Sequence, residues 1–353
     1  MQTQSGKLEL NKEYLSPDEA SAIQTIEQII VQKIEQNYQA GERPSRRDAH
    51  AKHHGCVKGE FIVENNLSEE LKFGVFKEPG KKFTACIRFS NSSGKPQADS
   101  IGDGRGMAIK LLGVSGEKLL TDEKNTQDFV MINHPVFFIR NLQDYIDLFQ
   151  TQAEGKEPLK FFFPGFNPLK WHLQEFAIAT SIQRKKIVSP LEIQYWSTTP
   201  YKLGNRAIKF SAKPSPDNIS RRTVSTSENY LREAMVEHLN SKEACFDFLV
   251  QFQTDADKMP IEDSTVEWKS PFLKVATIKI PPQSFDSSEQ MEFCENLSYT
   301  PWHSLPEHQP LGVINRCRKP IYNTISQARH QLNAVSRLEP TESEFSALFG
   351  DLN

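Results

Sequence analysis

The sequence predicts an α+β protein, with β-strands gathered in two runs and helices before, between and after them. Three observations carry this. In Phe83 to Ser90 the period is two: Phe83, Ala85, Ile87 and Phe89 fall on one face, and Thr84, Cys86, Arg88 and Ser90 on the other. Ile23, Ile26, Ile29, Ile30 and Ile34 instead recur at helical spacing. A second run of strand-like segments then precedes a helical C-terminal region, without the regular alternation of a βαβ protein.

Taken in order, Ser16-Pro17-Asp18-Glu19 reads as a helix start, with Ser16 as cap, Pro17 in the first turn and Glu19 completing a capping box. The helix runs to about Tyr38, and turn-rich sequence follows over 41–45. Strands are expected at 83–90, at 107–112 and from Asp128 to Phe138. Asn141 to Thr151 reads as a helix with Leu142, Tyr145, Ile146 and Phe149 on one stripe. From Gly155 to Arg206 aromatic helix-like pieces mix with proline-rich turns. Ala207 to Ser211, Phe246 to Gln253 and Lys274 to Ile280 are further strands, the last ended by Pro281-Pro282. A helix is expected from about Cys317 to Leu338, then an acidic tail read as solvated.

The composition narrows the classes. Net charge is −3, which does not suit a basic nucleic-acid surface. The mean hydropathy of −0.54 is that of a soluble chain that can still bury a core. No apolar run reaches the roughly 18 residues of a membrane span, and the polar start has no signal-peptide core. Five widely spaced cysteines without a CxxC read as free thiols, which points to a cytoplasmic location.

Two constellations carry chemistry. His50, His53, His54 and Cys56 are close in sequence; they read as structural histidines, as zinc ligands, or as containing an acid–base group. Arg318 and Tyr322 are four apart on a predicted helix, with Pro320 expected in its first turn and Arg329 seven beyond Tyr322 on the same face. That set is either a solvated helix face or a phenolate held beside guanidinium groups. Arg88 on its strand face is either solvated or, inside a barrel, in need of an anion. Gly102-Asp103-Gly104-Arg105-Gly106 lacks the following helix of a dinucleotide loop and reads as a tight turn.

Jointly and in order, six segments between about Arg43 and Leu332 resemble the catalase family: Arg47 to Lys52, Lys82 to Gly94, Asp103 to Lys110, Pro135 to Arg140, Ser264 to Trp268 with Val275 to Ile280, and Arg318 to Tyr322. The resemblance implies an eight-stranded antiparallel β-barrel with surrounding helices and a b-type haem (heme b) whose iron is ligated by Tyr322. It implies His50 as distal acid–base catalyst, and Arg47, Arg88 and Arg329 as propionate partners. Ser90 would be a distal hydrogen-bonding group, Arg318 the partner that holds the phenolate, and Phe137 and Tyr145 would lie at the haem. The expected organisation is an N-terminal helix and arm over 1–42, a haem barrel domain with its C-terminal helix over 43–338, and the tail over 339–353.

The chain also departs from the family. Counting back from Pro135, the distal asparagine position falls on Ile132, with Asn133 one residue off; Asn133 is the catalytic candidate if the strand carries a bulge. Ala49 stands where catalases usually have valine, leaving more room above the haem. The chain ends soon after Tyr322, so the family's wrapping and C-terminal regions and their NADPH site are not expected. The implied activity is on hydroperoxides, either hydrogen peroxide or organic and fatty-acid hydroperoxides, in a possible homo-oligomer. The alternatives are allene oxide synthase-like rearrangement of a fatty-acid hydroperoxide, a haem- or lipid-binding protein without turnover, and a zinc protein.

Overall fold

The computed structural model describes residues 7–122, 124–220, 223–337 and 339–350. Its centre is an antiparallel barrel. Strands β1 (His53–Val63), β2 (Lys82–Asn91), β3 (Arg105–Leu111) and β4 (Gln127–Ile132) follow one another as neighbours. The two-residue strand β5 (Tyr195–Trp196) pairs with β4 on one side and with β7 (Arg206–Pro214) on the other. Then β8 (Ala244–Phe252) and β9 (Phe272–Ile280) return to β1, which closes a ring of eight. The short β6 (Tyr201–Leu203) is a ninth strand, paired outside the ring with β7. Alternation fills the interior with aromatics: Phe61, Phe129, Phe210 and Phe248 pack there, with the Phe129 and Phe248 rings 4.9 Å apart.

A second apolar layer lies outside the barrel. Helices α1 (Glu19–Gln39), α2 (Leu142–Ala153) and α7 (Val313–Leu332) pack together through Ile26, Ile30, Ile34, Leu142, Ile314 and Ile321. Between them in sequence come α3 (Leu159–Phe162), α4 (Leu173–Gln183), α5 (Tyr230–Leu239) and α6 (Ser288–Asn296), and α8 (Glu342–Phe349) closes the described chain. Arg316 on α7 is clamped by Glu13, Glu19 and Glu262, tying the N-terminal arm to the helix that lines the cavity described below.

Several expectations are corrected. The strand expected over 128–138 ends at Ile132, because Pro135 has no N–H to give a ladder and His134 turns back on its own segment, with Nδ1 facing the Val136 carbonyl at 3.1 Å. Helix α1 begins at Glu19 with no side-chain cap, so Ser16 contributes only its carbonyl, to the Glu19 N–H. Helix α7 starts four residues earlier than expected, at Val313, because Glu262 accepts from its first N–H. Pro320 is therefore inside the helix rather than in its first turn, and the Arg316 carbonyl loses its helical partner. Leu338 and residues 351–353 lie outside the described residues. The segment read as a solvated acidic tail instead packs on the barrel: Thr341 and Glu344 form a capping box for α8, and Phe345 is fully buried against Phe293.

Candidate functional site

One cavity of about 220 Å³ lies between the barrel wall and α7. Helix α7 presents Arg318, Ile321, Tyr322, Ile325, Ser326 and Arg329 to it, a spacing of three and four that puts all six on one face. The opposite side comes from Arg47 to His50 and from β2 and β3 through Arg88, Ser90 and Gly106. Phe137, Tyr145 and Phe149 supply apolar walls.

The His50 segment is held as an extension of the barrel. Its N–H donates to the Ser92 carbonyl at 3.0 Å, and its carbonyl accepts from Arg88 Nη2 at 2.8 Å. The backbone of His50 is left-handed, at φ +60°, an unusual state for a residue with a side chain that the surrounding bonds must enforce. The imidazole Nδ1 faces Ser90 Oγ at 3.0 Å. Gly106 makes room for this: a Cβ there would come within 2.5 Å of Nδ1. Burial, and then Arg88, Arg318 and Arg47, push the His50 pKa down to about 3, so the ring is neutral.

Four guanidinium groups, Arg47, Arg88, Arg318 and Arg329, line this cavity. The carboxylate that meets them is Glu295, which lies 3.0 Å from Arg47 and 3.8 Å from Arg329. Arg47 and Arg329 both also donate to the Leu297 carbonyl. Arg318 donates to Thr199 Oγ1 and Asn315 Oδ1, and its guanidinium lies 5.0 Å over the Phe137 ring. The Nε atoms of Arg88 and Arg329 are buried without a hydrogen-bond partner. Burial, and then Arg47, lower the Arg329 pKa to about 9. Buried cations in excess of anions are costly unless an anion joins them.

Nine of the ten residues expected in the site line this one cavity: His50, Arg47, Ser90, Arg88, Tyr145, Phe137, Arg318, Tyr322 and Arg329. Asn133 does not. The bend after β4 carries its side chain back, where Oδ1 accepts from the Arg105 N–H at 2.8 Å, and Ile132 lines the cavity instead. The zinc reading also fails geometrically: His54 Nε2 bonds Asn91 Oδ1 at 3.0 Å, His53 faces Glu295, and these ligand atoms do not converge among the described residues. Asp103 and Arg105 act as braces, Asp103 accepting from the Ser93 N–H and Arg105 donating to the Asp99 carbonyl. Sequence reading did not reach Ser298, Tyr299 or Thr198, which also line the cavity. They sit in irregular segments with no periodicity to mark them.

A family model described as Catalase matches residues 3–160. The catalase of Helicobacter pylori strain J99 is 38% identical over 117 residues, covering 33% of this chain and 21% of that protein. Over this region the chain is similar to catalases. A catalase of Sus scrofa is 28% identical over 177 residues, or 50% of this chain and 27% of the relative. The matched region thus spans only about a fifth to a quarter of these relatives. The fold likeness extends further. Catalase A from Saccharomyces cerevisiae superposes with a TM-score of 0.61 at 19% identity, over 90% of this chain and 72% of that one. A bacterial catalase gives 0.59 at 17% identity, over 97% and 67%. The chain therefore shares the eight-stranded barrel fold of these structures, and no described helix is long and apolar enough to cross a membrane.

Proposed function

We propose that the cavity holds a b-type haem and that the protein acts on hydroperoxides, organic ones above all. The observation that carries this is a cation-rich, partly unpaired arginine set around an apolar cavity that has a phenol on one wall and a neutral imidazole on another. A haem suits that donor set. Arg47, Arg88 and Arg329 would hold its two carboxylates, Phe137 and Tyr145 would give it apolar contact, and Tyr322 would offer its phenolic oxygen to the iron.

When bound, the haem supplies the iron chemistry that cleaves a peroxide O–O bond. The chain's own residues then manage protons and position. With Nδ1–H donating to Ser90 Oγ, the other ring nitrogen of His50 is free to accept the hydroperoxide proton. The same nitrogen returns it to the leaving oxygen, which departs as alcohol or water. Arg318, one turn before Tyr322, lines the same wall of the cavity and would put a cation beside the ligating oxygen. Ile132 offers no amide to orient hydrogen peroxide, and Ala49 leaves space, so the pocket favours bulkier peroxides. The same two residues favour, as a second reading, rearrangement of a fatty-acid hydroperoxide.

The test is turnover by the haem-loaded full chain of hydrogen peroxide, cumene hydroperoxide and a fatty-acid hydroperoxide. His50→Ala should retain haem absorption and lose roughly 10²–10⁴-fold in rate. Ala49→Val should slow the fatty-acid substrate selectively. Undiminished turnover in His50→Ala would contradict the assignment.

A further inference from the structure

Among the described residues, five of the thirteen exposed large apolar side chains fall within residues 159–173: Leu159, Phe166, Leu169, Trp171 and Leu173. Phe166 is 102% exposed and Leu169 94%, so these two stand free of the protein. The loop that carries them is nevertheless ordered by its own contacts. Trp171 Nε1 donates to the Gly165 carbonyl at 3.1 Å, and the Trp171 ring packs edge-on to Phe163 at 5.4 Å. Asn167 Oδ1 accepts from the Leu169 N–H at 3.1 Å, closing the short turn Pro168–Lys170. The apolar tip is held outward by this framework.

We infer that residues 159–173 form a docking loop that inserts Phe166 and Leu169 into the surface of an anionic phospholipid bilayer. Three features favour lipid. A narrow point bearing two fully exposed side chains suits a deformable surface better than the broad, flat contact of a stable protein interface. The segment carries Lys160 and Lys170, both exposed and without an ion-pair partner among the described residues, and it carries no Asp or Glu. That is a basic flank for anionic headgroups, and Trp171 sits where an interfacial aromatic belongs. Finally, Phe161 and Phe162 at the base of the loop pack in the same apolar cluster as Tyr145 and Phe149, which line the cavity. This continuity would set the bilayer-facing loop beside the apolar wall of the site, as an apolar peroxide requires. That point rests on the hydroperoxide reading, but the docking does not.

The experiment is co-sedimentation of the full chain with vesicles of phosphatidylcholine alone and of phosphatidylcholine mixed with phosphatidylglycerol. The mixed vesicles should bind the protein, and Phe166→Ser/Leu169→Ser should weaken that binding at least about tenfold with an unchanged melting temperature. Lys160→Gln/Lys170→Gln should lower binding to mixed vesicles and leave the zwitterionic vesicles unaffected. Equal binding by wild type and the apolar double variant would overturn the proposal. So would failure of the wild type to bind, including the case where light scattering finds a dimer that the double variant dissociates. Peroxide turnover is measured in parallel without vesicles, so loss of that activity tells against the hydroperoxide reading alone.

Discussion

Two buried, charge-rich regions lie on either side of Tyr299, and they are built on opposite principles. On one side Lys110, Asp128, His303 and Glu339 form a closed set: Lys110 Nζ lies 2.8 Å from Asp128 Oδ1 and also pairs with Glu339, while His303 Nδ1 lies 3.2 Å from Asp128 Oδ2. Each charge there lies within ion-pair distance of an opposite one, although His303 Nε2 and the Glu339 carboxylate oxygens make no hydrogen bond. On the other side four arginines face the cavity with Glu295 as the carboxylate between them, and two of their Nε atoms have no partner. The ring of Tyr299 lines the cavity and at the same time lies 5.3 Å from the Lys110 ammonium. A completed set of charges braces a fold. An excess of buried cations is suited to binding an anion.

The largest expected effect breaks the completed set. Lys110→Met removes the ammonium shared by Asp128, 1% exposed, and Glu339, leaving His303 as the one cation for both, and should cost about 3–5 kcal/mol of stability in urea unfolding. Arg88→Met on the incomplete side should behave differently. The haem-free protein should lose only about 1–2 kcal/mol, from the lost bond to the His50 carbonyl, while haem affinity falls roughly tenfold or more. Equal losses of haem-free stability in the two variants would erase the distinction.

The two regions also separate in pH. Burial and Lys110 pull the His303 pKa down, but Asp122 and Asp128 outweigh them and raise it to about 9. Its stabilisation is therefore fully present below the unfolded value of about 6.5, and is lost as pH rises through about 9. His303→Gln should flatten the alkaline limb of the melting-temperature profile. His50 moves the other way, to about 3. The unfolded chain takes up a proton below about 6.5 that the folded chain refuses, so this residue costs stability as pH falls from there towards 3. Peroxide turnover by the loaded enzyme should show no inflection near pH 6–7 from His50. The smallest expected effect is that of Asn133→Ala, within about twofold on peroxide turnover because its side chain braces Arg105 outside the cavity. Ile132→Asn should instead raise the share of hydrogen peroxide dismutation.

Much of the fold was legible where periodicity is strong. The interior face of β2 and the apolar stripes of α1 and α2 could be read directly, and Arg318, Tyr322 and Arg329 could be placed on one helix face from spacing alone. Barrel closure was legible through the family resemblance and not through periodicity, because β5 has two residues and no pattern. The end of β4 was missed because Pro135 acts on the strand before it, and one residue of register decides whether Asn133 or Ile132 meets the cavity. Helix α8 was hidden by its acidic composition, although Thr341 and Glu344 already spelled a capping box. Ser298 and Tyr299 reach the cavity from an irregular segment that only tertiary packing positions.

The central claim is that the unpaired arginines and Tyr322 together make a haem site. Titration of the purified full chain with ferric haem, followed by absorption with Tyr322→Phe beside it, tests this most directly. The account predicts saturable one-to-one binding by the wild type, with a ferric spectrum that is altered, and an affinity that is weakened, in Tyr322→Phe. Identical spectra and affinities for the two proteins, or no binding by the wild type, would contradict it.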